Sequence, residues 1–419
     1  MNYIRLLTLS YLLVTAITGH AQQKISLQQA IRLAQSNNPF LKTASYNINI
    51  AQADVTTARL KFNPILNNQS LQLVNSKYFA ENTAALDAQN RQVWWQLTAP
   101  FRLNGQRKYQ VETAREAVNL EQRNYSDMKR IVASEAAAQW LNAWLLQNKL
   151  ELFLEAQLNM DSLVKINEVR LRNLAVTHTE VMRTRILSEQ FALQIRAARN
   201  NYAVELKNLK LLLGIADSIT LDMQDGFRFD QPDALTLDSL LSLGLQLRTD
   251  FHAAQAARLV SESNIKLQKS LAYPVPELGM IWNPQNTIPY LGFFGTIEIP
   301  LFSRNQGEIE KSTVIKLQAE QHINATRQKI FNEIQVAFNN YTTEKNNLDG
   351  YGSILSQTEN VLSTVRYAYL RGGTTLIDFL EAQRTWLETR QLYAEALQAY
   401  RLRSIELMTA TGLITQLYE

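Results

Sequence analysis

Between Gln106 and Leu213 the chain contains neither glycine nor proline. The run is rich in Ala, Leu, Glu, Gln, Lys and Arg, which lose little side-chain freedom in a helix, so it reads as long helix. At 1.5 Å per residue even half of it spans about 80 Å. The stretch Ile309 to Thr411 has the same character, broken only around Gly350 and Gly352 and at Gly372-Gly373. All nine prolines fall outside these two stretches.

The N-terminus has a different composition. Arg5 precedes an apolar segment from Leu6 to Thr18, and Gly19-His20-Ala21 offers small residues where a signal peptidase reads them. Residues 1–21 are therefore expected to be a removable signal peptide, leaving Gln22 first. The apolar stretch is shorter than the about 20 residues a membrane-spanning helix needs. No later window is long and apolar enough, so a membrane location would require a barrel. With no cysteine there is neither a disulfide nor an acylated N-terminal Cys. The net charge of +4, from 42 basic and 38 acidic side chains, gives no reason to expect nucleic acid as a partner.

The chain also repeats itself. Ile25 to Pro64 lies over Leu235 to Pro274 at an offset of 210, matching Leu27 with Leu237, Leu33 with Leu243, Ala44 with Ala254 and Pro64 with Pro274. Glu135 to Gly214 lies over Glu333 to Gly412 at an offset of 198. The expected organisation is a signal at 1–21, a first repeat at 22–214, a linker at 215–234, a second repeat at 235–412 and a tail at 413–419. In the second repeat Phe379, Trp386, Tyr393, Tyr400 and Leu407 recur every seven residues, against Val181, Ser188, Ile195, Tyr202 and Leu209 in the first. Such a stripe predicts left-handed supercoiling of packed helices, although an ordinary amphipathic helix in a soluble bundle explains the stripe taken alone.

Each repeat is interrupted by segments that alternate with period two. Gln92 to Pro100 places Val93, Trp95, Leu97 and Ala99 on one face, and Leu291 to Pro300 places Leu291, Phe293, Gly295, Ile297 and Ile299 on one face. Weaker strand candidates precede them at about 65–74 and 276–282, making one hairpin per repeat, at about 65–100 and 276–300. Four strands are too few to close a barrel, so closure needs several chains. Trp94, Trp95, Trp282, Tyr290 and Phe294 concentrate here, as in the aromatic girdles of membrane barrels or in the core of a small soluble sheet.

With these features in view, the chain resembles the TolC-type outer membrane factors over essentially all of its mature length. The resemblance is carried by Ile25 to Ala44 and its repeat Leu235 to Ala257, by IPLFSRNQGEIEKS at Ile299 to Ser312, by Tyr369 to Arg401 and by the terminal Leu407 to Gly412. It implies a mainly α protein with a long antiparallel coiled-coil tunnel across the periplasm and a trimeric twelve-stranded outer-membrane barrel. It also implies a homotrimer working with a periplasmic adaptor and an inner-membrane pump of the resistance-nodulation-division type, with no cofactor. The stretch PLFSRNQGEI resembles the CzcC-like heavy-metal branch.

Site residues follow from the same resemblance. Gly372, Gly373 and Thr374 correspond to the tip that meets the adaptor, and Asp378 and Glu381 to acidic residues that ring the narrowest part of the tunnel. Glu180 aligns with Asp378 and adds an outer set. Read without the resemblance, Asp378 and Glu381 are carboxylates favoured near a helix N-terminus, or a solvated face. The first-half tip, Asn173 to His178, lacks the glycine pair.

Other functions fit less well. The mature histidines His178, His252 and His322 stand alone, and no Lys-Ser/Thr pair follows Gly372-Gly373, so neither acid–base catalysis nor phosphate-loop chemistry is indicated. Three histidines without cysteine do not make a metal store. The runner-up is a wholly periplasmic coiled-coil adaptor or structural protein, which would share the signal peptide and the long helices.

Overall fold

The computed structural model describes residues 23–223, 236–285 and 288–417. The expected signal segment and linker residues 224–234 lie outside them. Two short strands, β1 (Gln23–Ile25) and β4 (Ile219–Leu221), pair in parallel. The helices are α1 (Leu27–Asn37), α2 (Pro39–Arg59), α3 (Gln106–Arg172), α4 (His178–Leu213), α5 (Leu237–Leu247), α6 (Thr249–Leu271), α7 (Gln306–Leu370) and α8 (Leu376–Thr411). Strands β2 (Ile65–Gln72) and β3 (Arg91–Pro100) separate α2 from α3, and β5 (Glu277–Gln285) and β6 (Ile288–Thr296) separate α6 from α7. The order short helix, helix, hairpin, long helix, helix thus occurs twice.

Glycines 350 and 352 do not interrupt α7, contrary to the expected break. A lone helical glycine costs only about 1 kcal/mol relative to alanine, and a Cβ at Gly352 would lie 3.7 Å from the Tyr393 ring, an ordinary packing distance.

The chain divides into two compact units, Met1–Ala44 with Ser126–Thr249 and Arg327–Glu419, and Ser45–Tyr125 with Asp250–Thr326. In the first unit the seven-residue stripes point inward. Val181, Ser188, Ile195 and Leu209 are buried on α4, as are Phe379, Trp386 and Leu407 on α8, while Tyr202, Tyr393 and Tyr400 are half-buried. Ion pairs between α3 and α8, Glu155 with Arg390 at 2.8 Å and Lys149 with Glu395 at 2.7 Å, flank this core. Being largely exposed, each contributes at most about 1 kcal/mol.

The duplication reaches individual contacts of this unit. Ser26 and Thr236 cap α1 and α5, each accepting a hydrogen bond from the backbone N–H three residues on. Just past those helices, Asn38 donates to the carbonyl of Leu212 at 2.8 Å and Arg248 to that of Ala410 at 3.0 Å. Each side chain thereby satisfies a carbonyl left open in the last turn of a long helix. Gly214 and Gly412 end α4 and α8 in left-handed conformation, and a Cβ on them would strike Asn37 and Leu247. Trp140, fully buried, donates to the Ile25 carbonyl at 3.0 Å and so pins β1.

The second unit holds a four-stranded antiparallel sheet in the order β2-β3-β5-β6. Pairing Trp95 with Trp282, Leu97 with Met280 and Met280 with Phe293 puts these residues on one face. Leu66, Leu278 and Leu291 share it, and the group is exposed, up to 80 % for Phe293. The opposite face carries Asn67, Gln69, Gln92, Gln96, Thr98 and Asn283. Trp94, Tyr290 and Phe294 also project to that side, so the five aromatics do not form one girdle. Phe294 packs over Gly279, where a Cβ would lie 2.6 Å from its ring. Strand β6 ends at Thr296, so Ile297 and Ile299, expected within it, lie beyond the observed strand, and β5 runs on to Gln285.

Candidate functional site

The two turns joining the long helices are built alike. After α7, Gly372 donates to the Tyr369 carbonyl at 3.1 Å and Gly373 to that of Ala368 at 2.9 Å, with Gly372 at φ +77°. After α3, Leu174 donates to Leu171 at 2.9 Å and Ala175 to Arg170 at 2.8 Å, with Leu174 at φ +55°. Each bond maps onto its partner by the offset of 198. The missing glycine pair therefore does not change the first turn's geometry: Leu174 takes the left-handed conformation that Gly372 adopts without strain.

Past each turn a threonine starts the next helix. Thr375 accepts from the Asp378 N–H at 3.2 Å, and the Asp378 carboxylate accepts from the Thr375 N–H at 3.2 Å and hydroxyl at 2.7 Å. The Thr374 hydroxyl also donates to Asp378, at 2.8 Å. Thr177 and Glu180 form the same reciprocal box before α4, with the Thr177 N–H 2.7 Å from the Glu180 carboxylate. The hydrogen bonds from Thr375 and Thr374 hold Asp378 below the usual aspartate range.

Glu381 lies one turn further along α8, on the surface. Arg384 binds it through two nitrogens, at 2.7 and 3.1 Å, and this holds the Glu381 carboxyl below its usual range. The aligned first-repeat residue is Arg183, a cation. Arg183, Glu381 and Arg384 rim a crevice of about 300 Å³ with Met160, Phe191 and Leu380 among its apolar lining.

Gly372, Gly373, Thr374 and Asp378 thus meet in one turn, Glu180 sits in the other, and Glu381 belongs to a neighbouring charge cluster. The two turns lie side by side, since Arg170 at the end of α3 donates to the Tyr369 carbonyl at 3.4 Å and stacks on the Tyr369 ring at 4.9 Å. The Tyr369 hydroxyl donates to fully buried Asn167 at 2.8 Å, and burial raises the Tyr369 pKa. Sequence reasoning missed this link because neither repeat nor motif marks Asn167 and Arg170. Among the described residues no group of His, Asp and Glu is placed to hold a metal ion.

A model of the outer membrane efflux protein family matches residues 240–413. Most of the second repeat is thus similar to outer membrane efflux proteins. Over 392 residues it is 22% identical to the Escherichia coli K12 cation efflux system protein CusC, covering 90% of this chain and 84% of that one. A crystal structure of CusC superposes with TM-score 0.75 at 21% identity, over 94% of both chains. The Campylobacter jejuni CmeC outer membrane channel superposes with TM-score 0.74 at 18% identity, over 92% of this chain and 85% of that one. CusC and the CmeC outer membrane channel thus share this chain's fold of long helices and paired strands. Channels of this family are trimeric parts of tripartite systems. No described helix is long and apolar enough to cross a membrane.

Proposed function

We propose that this protein is the exit duct of a tripartite cation efflux system, assembled as a homotrimer whose four-stranded sheets join into one twelve-stranded barrel. The observation that carries the reading is the open sheet of the second unit. Leu66, Trp95, Leu97, Met280, Leu291 and Phe293 form one exposed apolar face, backed by a face rich in Asn and Gln, and among the described residues the edge strands β2 and β6 have no further strand beside them. Such a surface suits lipid outside and water inside. Heavy-metal cations as cargo are supported by the cation efflux name of the CusC relatives. Residues 22–214 and 235–412 are its two repeats, joined by 215–234 and followed by a tail at 413–419.

In this reading the turn at Gly372, Gly373 and Thr374 docks a periplasmic adaptor, which connects to an inner-membrane pump of the resistance-nodulation-division type. Asp378 and Glu381 ring the entrance, with Glu180 as an outer set. Their placement supports a narrower role for Asp378 than a free carboxylate would have, because it is also the capping partner of Thr375. Reconstitution into planar bilayers tests the whole reading: a cation-selective pore formed by an outer-membrane trimer is expected. A monomer recovered from the soluble periplasmic fraction would overturn it.

A further inference from the structure

The foot of the sheet, where the chain enters β2 and leaves β3, carries an unusual mixture of side chains. Leu60, Phe62, Phe101, Leu103 and, beyond β6, Leu301 and Phe302 are all exposed. Lys61 and Arg102 stand between them in sequence, and Arg304 follows Phe302 by two residues. The Arg102 guanidinium lies 4.2 Å from the Phe62 ring centroid, so the charge and the apolar surface share one patch.

Beside this patch, at the junction of α2 and α3, a crevice of about 570 Å³ is lined by Arg59, Arg107, Lys108 and Arg115, with Glu112 and Glu116. Within it, Arg107 reaches back and donates to the Arg59 carbonyl. The two acids do not neutralise these cations. Glu112 binds Lys266 at 2.7 Å, and Glu116 accepts from Asn119 at 3.5 Å. Among the described residues, none of Arg59, Arg102, Arg107, Lys108 and Arg115 has a carboxylate within ion-pair distance.

Uncompensated guanidinium groups beside exposed Phe and Leu fit one class of partner, in which a phosphate is joined to acyl chains. Arginine pairs with phosphate through two parallel hydrogen bonds, and the apolar side chains would lie against the acyl region. A water-filled lumen or a free anion would leave Phe62, Phe101 and Phe302 without a reason to be exposed. We propose that this collar is a binding site for the phosphate headgroups of anionic phospholipids in the periplasm-facing leaflet, and that it sets the depth of the barrel in the membrane. The proposal rests on the sheet being a membrane barrel.

The test uses the purified full-length trimer and the variant Arg107→Gln/Lys108→Gln/Arg115→Gln, which keeps side-chain length. Trimer formation in unboiled gels and pore activity are scored first. Preference for vesicles containing phosphatidylglycerol over pure phosphatidylcholine is then measured by competition at low and high salt, with inorganic phosphate as a separate arm. Wild type should prefer phosphatidylglycerol and lose that preference at high salt. At about one charge contact per removed cation the variant should lose on the order of 10- to 100-fold of it, with trimer and pore intact. Equal preference in wild type and variant overturns the proposal, and so does competition by millimolar inorganic phosphate, which would mark a free-anion site. Binding of acidic glycan fragments in place of lipid overturns it in favour of a wall-facing surface. A wild-type protein that forms no trimer refutes the barrel reading itself, a result separable from the others.

Discussion

Leu174 and Gly372 occupy the same place in the two inter-helix turns, at φ +55° and +77°, and donate equivalent hydrogen bonds 198 residues apart. Leu174 is 91 % exposed, so no packing offsets the cost of the left-handed conformation, roughly 1–2 kcal/mol for a residue with a Cβ. Leu174→Gly is expected to raise stability by about 1 kcal/mol once the greater freedom of glycine in the unfolded chain is deducted. Gly372→Leu should lower it by a similar amount without loss of the turn. Denaturant midpoints of the two variants, shifted in opposite directions, check this; equal shifts of one sign would contradict it.

On the proposed gate reading, the charge of Asp378 and Glu381 can be separated from the capping of α8. Asp378→Asn with Glu381→Gln removes both charges while leaving an acceptor for the Thr375 N–H, whereas Asp378→Ala also removes the cap, at about 1 kcal/mol. The amide variant is therefore expected to lose cation preference in bilayer recordings with little change in stability. Arg183→Gln, which removes the opposing charge, should increase that preference. Unchanged reversal potentials in both would assign these residues to helix ends alone.

The same two carboxyls set an acid limit. Hydrogen bonds hold Asp378 and Glu381 below their ordinary values of 3.8 and 4.5, so each stays charged further into acid than a carboxylate without such partners. For a depressed carboxyl, stability is present above the unfolded-state value and is lost as pH falls through the folded value. Cation preference should thus persist as pH falls to the ordinary carboxylate range and fade only as each group titrates below its own ordinary value. Titration of the reversal potential is the measurement, and a loss centred above pH 5 would contradict these assignments.

Phe293 and Gln96 test the two faces of the sheet. Phe293→Arg puts a charge on the exposed apolar face and should cost about 2 to 4 kcal/mol if that face meets lipid near mid-membrane. Gln96→Arg, on the polar face, should be tolerated. The yield of heat-resistant trimer in outer-membrane fractions reports the difference.

A buried polar pair offers a stability cycle. Tyr369→Phe leaves the Asn167 carbonyl without its donor, in a side chain whose amide nitrogen already has no partner, and should cost about 1 to 3 kcal/mol. Adding Asn167→Leu should recover most of that loss, because removing both partners removes the unmet demand. Additive losses in thermal unfolding would refute the pairing.

Much of this architecture is legible in the sequence because its signals are local. Absence of Gly and Pro marks α3 and α4, period-two alternation marks β3 and most of β6, and the offset of 198 correctly pairs Thr177 and Glu180 with Thr375 and Asp378. What escaped is non-local or depends on neighbours. Strands β1 and β4 have three residues each and pair across nearly half the chain, too little for any periodicity to register. Gly350 and Gly352 look like breaks but lie inside a helix held by its packing against α8. Leu174 carries no compositional mark of a left-handed turn, since Leu does not favour one. At the tip, spacing located the acids but could not show that Asp378 caps a helix or that Glu381 is bound by Arg384.

Joining the hairpins through β3 and β5 also affects assembly order. Among the described residues β2 and β6 are edge strands, so on the proposed trimeric reading a closed barrel forms only when β6 of one chain meets β2 of the next and the ring returns to its start. No smaller closed species exists on that route, and the rate of barrel formation should rise steeply with protomer concentration. Until the third chain arrives, an unpaired strand edge and a greasy face travel together through an aqueous compartment, the combination most prone to wrong pairing. Low expression would therefore lower the channel count more than proportionally, and escort by a holding chaperone would matter more for this chain than for a barrel that closes on itself.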